Sequence, residues 1–409
     1  MTPASSWRIT ERRGQTALRD LKDNWRRLYL ETPDRQRYHL YQACAAFVDH
    51  LCPSWDSFRL LTLMHGDELR GICPLIPRTV DTLGAPMPVW SLPWHLHWLV
   101  TDVLCPDDDA RRQFLPVVVR HLSRHAEGRP ILLIGPAQQQ SALWEGLHAL
   151  RPSSYCIEPA MSSAVLDCRL SYDDLMGRLS KHFRRNLRSH RRKLLELVDV
   201  QFLTHAETDD AAAALETFLH IEASGWKGTS GKRSAISLNP CTEAFYGDLV
   251  RHGVEDADRC ELNALHVGDI CIASQLCMRN GSTYTILKIA YDEAFARLGP
   301  GQLLLAHTIE RCCADPAIHR LDLVSDAGWC SDWHTDALPM QQAYIAIGRL
   351  SGIPSVSLLR FRFGPLRRLV RGARARSGGT HDAQTGRACY EGRPEEAATT
   401  TDTTRSHAG

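Results

Sequence analysis

Two stretches about two hundred residues apart share one pattern of apolar and polar positions. His65-Gly-Asp-Glu-Leu-Arg-Gly-Ile-Cys-Pro-Leu and His266-Val-Gly-Asp-Ile-Cys-Ile-Ala-Ser-Gln-Leu each read as a strand, a Gly-Asp turn and a second strand. A helix-spaced segment and an apolar run follow each. They are Phe114 to His125 and Ile131-Leu-Leu-Ile-Gly after the first, and Gln302 to Cys313 and Arg320-Leu-Asp-Leu-Val after the second. A repeated hairpin, helix and strand predicts two related α/β domains. The alternative is two unrelated hairpins that share a common turn dipeptide.

Between the copies the apolar spacing becomes helical. Ser171-Tyr-Asp-Asp-Leu opens a helix, with Ser171 at the N-cap and Asp174 three residues on. That helix turns strongly basic through Lys181-His-Phe-Arg-Arg-Asn-Leu-Arg-Ser-His-Arg-Arg-Lys, while Leu179, Phe183, Leu187 and Leu194 keep one face apolar. The arginines are either simply solvated or form an electropositive wall for an anionic substrate or cofactor. Along Asp209 to Trp226, a stripe of Ala211, Leu215, Phe218, Glu222 and Trp226 turns one carboxylate inward beside an indole.

The segment from Tyr284 to Leu305 carries the clearest chemistry. An apolar strand runs into Gly299-Pro300-Gly301 and then a helix. The glycines let backbone approach an anion without Cβ interference, Pro300 fixes φ, and the unpaired amides at the helix start point at whatever sits there. The first copy has Leu83-Gly-Ala-Pro-Met-Pro-Val-Trp-Ser-Leu-Pro-Trp at the matching place, whose prolines and tryptophans make a poor anion cradle. A phosphate-bearing cofactor is therefore expected in the second domain, with a structural or substrate-side role for the first.

Composition changes this picture little. The chain of 409 residues is 44% hydrophobic and 23% charged, as expected of a globular protein of two domains. A net charge of +1 gives no global attraction to nucleic acid or membrane, so any such attraction is local. The 14 cysteines are scattered through apolar stretches, and the chain starts without an apolar signal segment; reduced thiols in a cytoplasmic protein are expected. No Cys-x-x-Cys pair occurs and the adjacent Cys312 and Cys313 cannot both chelate easily, so no metal site is expected. No apolar run is long enough to span a bilayer. After Pro354, Arg360, Arg362, Arg367, Arg368, Arg371, Arg374 and Arg376 alternate with apolar residues. This segment, 354–376, either touches anionic lipid or a partner protein or merely solubilises the chain, and residues 377–409 form a tail too poor in apolar residues to fold.

Arg297-Leu-Gly-Pro-Gly resembles the pyrophosphate loop of GNAT-type acyltransferases, which follows a strand and holds coenzyme A. Leu179-Ser-Lys-His-Phe-Arg-Arg-Asn-Leu-Arg, Glu222-Ala-Ser-Gly-Trp-Lys-Gly and Lys288-Ile-Ala-Tyr-Asp-Glu-Ala-Phe-Ala-Arg-Leu-Gly-Pro-Gly, in that order, resemble the CelD or BcsL acetyltransferases associated with cellulose biosynthesis. The likeness runs from about Trp25 to Gly348. It implies an α/β (α+β) fold of tandem GNAT-like domains related to the FemABX transferases, each a mixed, mostly antiparallel twisted sheet flanked by helices. The domains would be 1–160, without cofactor, and 161–353, with it. It implies acetyl transfer from acetyl-CoA to an amine or hydroxyl of a small-molecule or saccharide acceptor. Where such sequences often carry a lysine after the strand that follows the cofactor helix, this chain has Cys330 in Ser325-Asp-Ala-Gly-Trp-Cys-Ser-Asp-Trp.

Acyl transfer needs an anchored thioester, an oxyanion donor, a proton acceptor and a proton for the leaving thiolate. The amides of Leu298, Gly299, Pro300–Gly301 and Gln302, with the Arg297 side chain, are the expected cofactor anchors, and the strand Tyr284 to Tyr291 the expected amide donor. Glu222 and Asp326 are rival candidates for the base, the first because burial raises a carboxyl pKa, the second because strand ends border sites in α/β folds. An inward glutamate that pairs with an arginine is the competing account of Glu222. Trp226, Lys227 and Lys288 are candidate acceptor contacts, Lys288 because it interrupts an apolar strand. His307 reads as a packed helix histidine. Two further readings stand beside the leading one: a FemABX-like transferase using aminoacyl-tRNA held by the basic helix, and a non-catalytic scaffold of a polysaccharide-synthesis complex.

Overall fold

The computed structural model describes residues 7–82, 85–125, 127–229, 231–348 and 351–363. The arginines from Arg367 onward and the tail 377–409 lie outside them.

The first half of the chain runs β1 (Trp7–Arg13), α1 (Gly14–Asp20), α2 (Lys22–Glu31), α3 (Tyr41–His50), β2 (Arg59–His65), β3 (Glu68–Thr82), β4 (Ala85–Ser91), α4 (Asp108–Leu122), β5 (Ile131–Gln138) and β6 (Tyr155–Asp167). After α5 (Tyr172–Arg178) and α6 (Lys181–Leu195) the order repeats. It continues β7 (Val200–His205), α7 (Thr208–Ser224), α8 (Pro240–His252), β8 (Arg259–Val267), β9 (Ile270–Asn280), β10 (Thr283–Tyr291), α9 (Pro300–Ala314), β11 (Arg320–Asp322) and β12 (Asp336–Ala346). A last helix, α10 (Gly352–Phe363), lies against β12 and β6. Both hairpins expected around the Gly-Asp turns form, as β2–β3 and β8–β9, with Gly66 and Gly268 at positive φ.

All twelve strands join one sheet in the order β1-β2-β3-β4-β5-β12-β6-β11-β10-β9-β8-β7. Only β4–β5 and β10–β11 pair in parallel. The order is symmetric about the β12–β6 pair. Each half supplies five strands of its own side, and its sixth crosses over: β6 pairs with β11, and β12 pairs with β5. The residue 160–161 boundary expected from the sequence falls inside β6, because that strand is covalently part of the first half but belongs to the sheet of the second.

The halves also share a core. Trp25, Phe47 and Trp98 from the first pack with Phe218, Phe245 and Tyr246 from the second, and the Phe47 and Phe245 rings meet edge to face at 6.4 Å. Burial of such aromatic area is the main stabilising term for their association. The helix expected from Ser171 through the basic run is two helices. Ser171 caps Asp174 N, and Ser180 caps Phe183 N, restarting the helix as α6 with its Phe183, Leu187 and Leu194 face buried. The first arginines after Pro354 are tied to the fold: Arg362 Nη2 lies 3.6 Å from Asp81 Oδ2, and Arg360 donates to the Tyr155 carbonyl.

Candidate active site

The two parallel strand pairs differ in one respect that creates a cavity. In the first half, β5 pairs with the last residues of β4, Val89 to Ser91. In the second, β11 pairs only with the first residues of β10, Thr283 to Thr285, and β10 then runs on to Tyr291 with β9 as its sole partner. A bulge at Leu287, between Ile286 and Lys288, adds twist where the strands part. The open edge borders a cavity of about 640 Å³, lined also by the end of α7, the start of α9 and the Leu323–Trp333 segment after β11.

At one end of this edge the chain turns into α9. Gly299 is the N-cap with φ +61°, a left-handed conformation that glycine adopts at little cost. A Cβ there would also collide with Nδ1 of His190 on α6. Gln302 N and Leu303 N both donate to Gly299 O at 3.1 Å, Pro300 has no N–H, and Gly301 N has no partner among the described residues. A Cβ on Gly301 would meet only Tyr291 Cδ1, at 3.6 Å, so the space before this amide is open. An unpaired amide at the positive end of a fifteen-residue helix suits an anion. The face of α6 beside it carries His190, and the cations of the helix lie outside the cavity lining. Lys181, Arg184, Arg185, Arg188, Arg191, Arg192 and Lys193 make no ion pair among the described residues.

At the other end lie Glu222 and two lysines. Glu222, the last buried residue of α7, accepts from Lys227 Nζ at 2.8 Å and from Ile236 N at 2.9 Å. Its partner is thus a lysine rather than an arginine. Lys227 Nζ also reaches the Ile289 carbonyl of β10 at 3.3 Å. The Lys288 amine makes no hydrogen bond or ion pair among the described residues. Burial first, and then the charge of Lys227, push its pKa down to about 8, with Glu222 acting the other way. The loop after β4 faces it from the first half. Burial and the charge of Lys288 lower the pKa of His95, and that of His97 to about 3, so both imidazoles are neutral at physiological pH. The His97 carbonyl accepts from Tyr246 Oη at 3.1 Å, which ties this loop to α8.

Of the expected site residues, the structure brings Glu222, Trp226, Lys227, Lys288, Gly299, Pro300, Gly301 and Gln302 to one cavity. Trp226 lies beyond the end of α7, 49% exposed, its amide donating to Glu293 Oε1 and its ring 5.0 Å from Lys232 Nζ. Arg297 is exposed, Leu298 is half-buried, and neither borders the cavity. Asp326 is exposed outside it, whereas its neighbour Ser325 is in the lining. Cys330 is buried in the core behind Trp333, its Sγ 3.6 Å from the Ser325 carbonyl. His307 packs tilted against Phe202 with ring centroids 4.5 Å apart, as a packed helix histidine does. Sequence reasoning missed His190, Ser325, Trp329 and Trp333 in the lining, and His95 and His97 across from Lys288. The Trp94-His95-Leu96-His97-Trp98 alternation was the one local signal available for the last two.

Among the described residues no cluster of side chains suits a metal ion, and no helix is long and apolar enough to cross a membrane.

Residues 181–329 match the family of acetyltransferase (GNAT) domains. Among solved structures, FemX superposes with a TM-score of 0.52 at 12% identity, covering 82% of this chain and 97% of that one. A conserved protein of unknown function from Bacteroides thetaiotaomicron superposes with a TM-score of 0.51 at 12% identity, over 83% and 99%. At such identities the likeness is one of fold. No protein of curated function matches the chain by sequence.

Proposed function

We propose that the GNAT-type domain in the second half of this chain transfers an acetyl group from acetyl-CoA to an amine or hydroxyl acceptor. The observation that carries this reading is the open edge of β10 leading directly to the unpaired amide of Gly301 at the start of α9, within one cavity. An extended pantetheine arm would pair with the free strand edge as a sheet partner does, and the pyrophosphate would sit at the helix start. A strand amide then meets the thioester carbonyl and stabilises the oxyanion that forms there. The residues present fit the cofactor: a Cβ-free approach at Gly301, a left-handed Gly299, and no carboxylate in the lining except Glu222, which is already neutralised by Lys227.

Isothermal titration with acetyl-CoA tests the reading. We expect micromolar binding that Gly301→Glu abolishes, because that variant places a bulky anion where the pyrophosphate would lie. Undiminished binding by the variant would show the site to be elsewhere. A saccharide acceptor in cell-envelope or cellulose metabolism follows from the CelD and BcsL resemblance, a cytoplasmic setting from the scattered cysteines, and both extend the proposal.

One observation favours a second reading, transfer from aminoacyl-tRNA: the seven cations of α6, without an ion pair among the described residues, form a surface larger than one cofactor needs. RNA binding with a steep salt dependence would support it.

A further inference from the structure

We propose that Lys288 is the proton acceptor of this transfer, taking the proton of the attacking acceptor group and passing it to the departing thiolate. The proposal rests on the acyl-transfer reading above and assigns the step that reading leaves open.

Five titratable side chains border the cavity: His190, Glu222, Lys227, Lys288 and Tyr291. His190 lies against Gly299, at the end assigned to phosphate. Tyr291 is at the same end, its ring beside Gly301. Both Glu222 oxygens are engaged, one by Lys227 Nζ and the other by Ile236 N. Lys227 is held by that carboxylate and by the Ile289 carbonyl. Lys288 remains: it stands just after the bulge on the open length of β10, and its amine has no acceptor among the described residues. A half-buried amine without a protein acceptor is less favourable when charged, which makes such a group give up its proton more readily.

The groups that face it agree. From α7 and the loop beyond come one cation and one anion, Lys227 and Glu222, which pair with each other. From the loop after β4 come His95 and His97, both neutral, so among the described residues no unpaired anion faces Lys288 to hold it protonated. Burial and Lys227 together place its titration near pH 8, inside the range where a base can both accept and release a proton.

The step balances without a metal or oxidant. The acceptor nitrogen or oxygen bonds to the thioester carbonyl carbon while the C–S bond breaks. The proton lost by the acceptor moves to Lys288 Nζ and from there to the sulfur of coenzyme A, leaving the amine neutral as it began.

The test uses the full chain with acetyl-CoA alone, so that water is the acceptor and thiol release is the signal, measured from pH 6 to 10 beside acetyl-CoA titrations of each variant. We expect the wild-type rate to rise with pH and level off above about pH 8. Lys288→Met and Lys288→Arg should lose that rise and at least about 100-fold of the rate, the usual worth of a positioned base, while binding acetyl-CoA within about twofold of wild type. Intact binding by the variants shows that they are folded. Activity retained by Lys288→Arg would overturn the proposal, since it would make the group a fixed cation. So would a wild-type protein that binds acetyl-CoA but releases thiol at a rate independent of pH. Failure of the wild type to bind acetyl-CoA would instead remove the cofactor reading, and this proposal with it.

Discussion

The carboxylate that the sequence offered as a base is occupied. Glu222 is buried, and its two oxygens fix Lys227 and the amide of Ile236, which starts the turn leading to α8. Removing it strands a lysine and a backbone donor, a loss on the order of 3 kcal/mol. We therefore expect Glu222→Ala to shift the urea midpoint markedly, and Glu222→Gln, which keeps an acceptor for Ile236 N, to shift it less while retaining the proposed acyl transfer. A Glu222→Gln protein that is stable but wholly inactive would return the carboxylate to the chemistry. Lys288 has the opposite energetic sign. Its pKa in the fold, about 8, lies below its ordinary 10.5, so the unfolded chain binds more protons between these values. Stability lost at neutral pH is recovered as pH rises from about 8 to 10.5. Lys288→Met should thus be more stable than wild type at pH 7, on the order of 2 kcal/mol in chemical denaturation, with the gap closing by pH 10.

At the scale of elements, the sequence showed what is local. The strand, turn and helix around Gly299 to Gly301 were legible because Gly-Pro-Gly after an apolar strand has few alternatives, and β10 and α9 lie within two residues of where periodicity put them. The stripe on α7 was legible as far as Glu222; Trp226 left it because the helix stops at Ser224 and Gly225 turns the chain away. The break between α5 and α6 was hidden, since Ser180 sits inside a pattern whose apolar spacing continues through it. Arg297 and Asp326 were placed near the site by adjacency along the chain, yet the short turn of 293–298 and the segment after β11 direct them to solvent. His95, His97 and His190 reach the site through packing between distant elements, which spacing along one element does not encode.

The whole molecule is where the sequence revealed least. Two similar halves were visible, but nothing local reveals that each completes its sheet with the other's last strand, because β6 and β12 carry the same alternation whichever neighbour they pair with. The exchange makes the halves inseparable. Fragments 1–170 and 171–409 should each fail to fold alone, the first leaving the apolar edge Ile131 to Ile134 of β5 without its partner β12. Mixed during refolding, they should regain native near-ultraviolet dichroism, and the intact chain should melt in one transition. A fragment 1–170 with a dispersed amide spectrum would show that the exchange is dispensable.

The crossed strands also set an order of events on the ribosome. β5 is complete by residue 138, but β12 ends only at residue 346, roughly 200 residues later. At about 5–20 residues per second, that edge waits on the order of 10–40 seconds for its neighbour. During that interval β6 is already synthesised and compatible with the same edge. Closure of the first sheet on its own strand therefore competes with native pairing until β12 has been made.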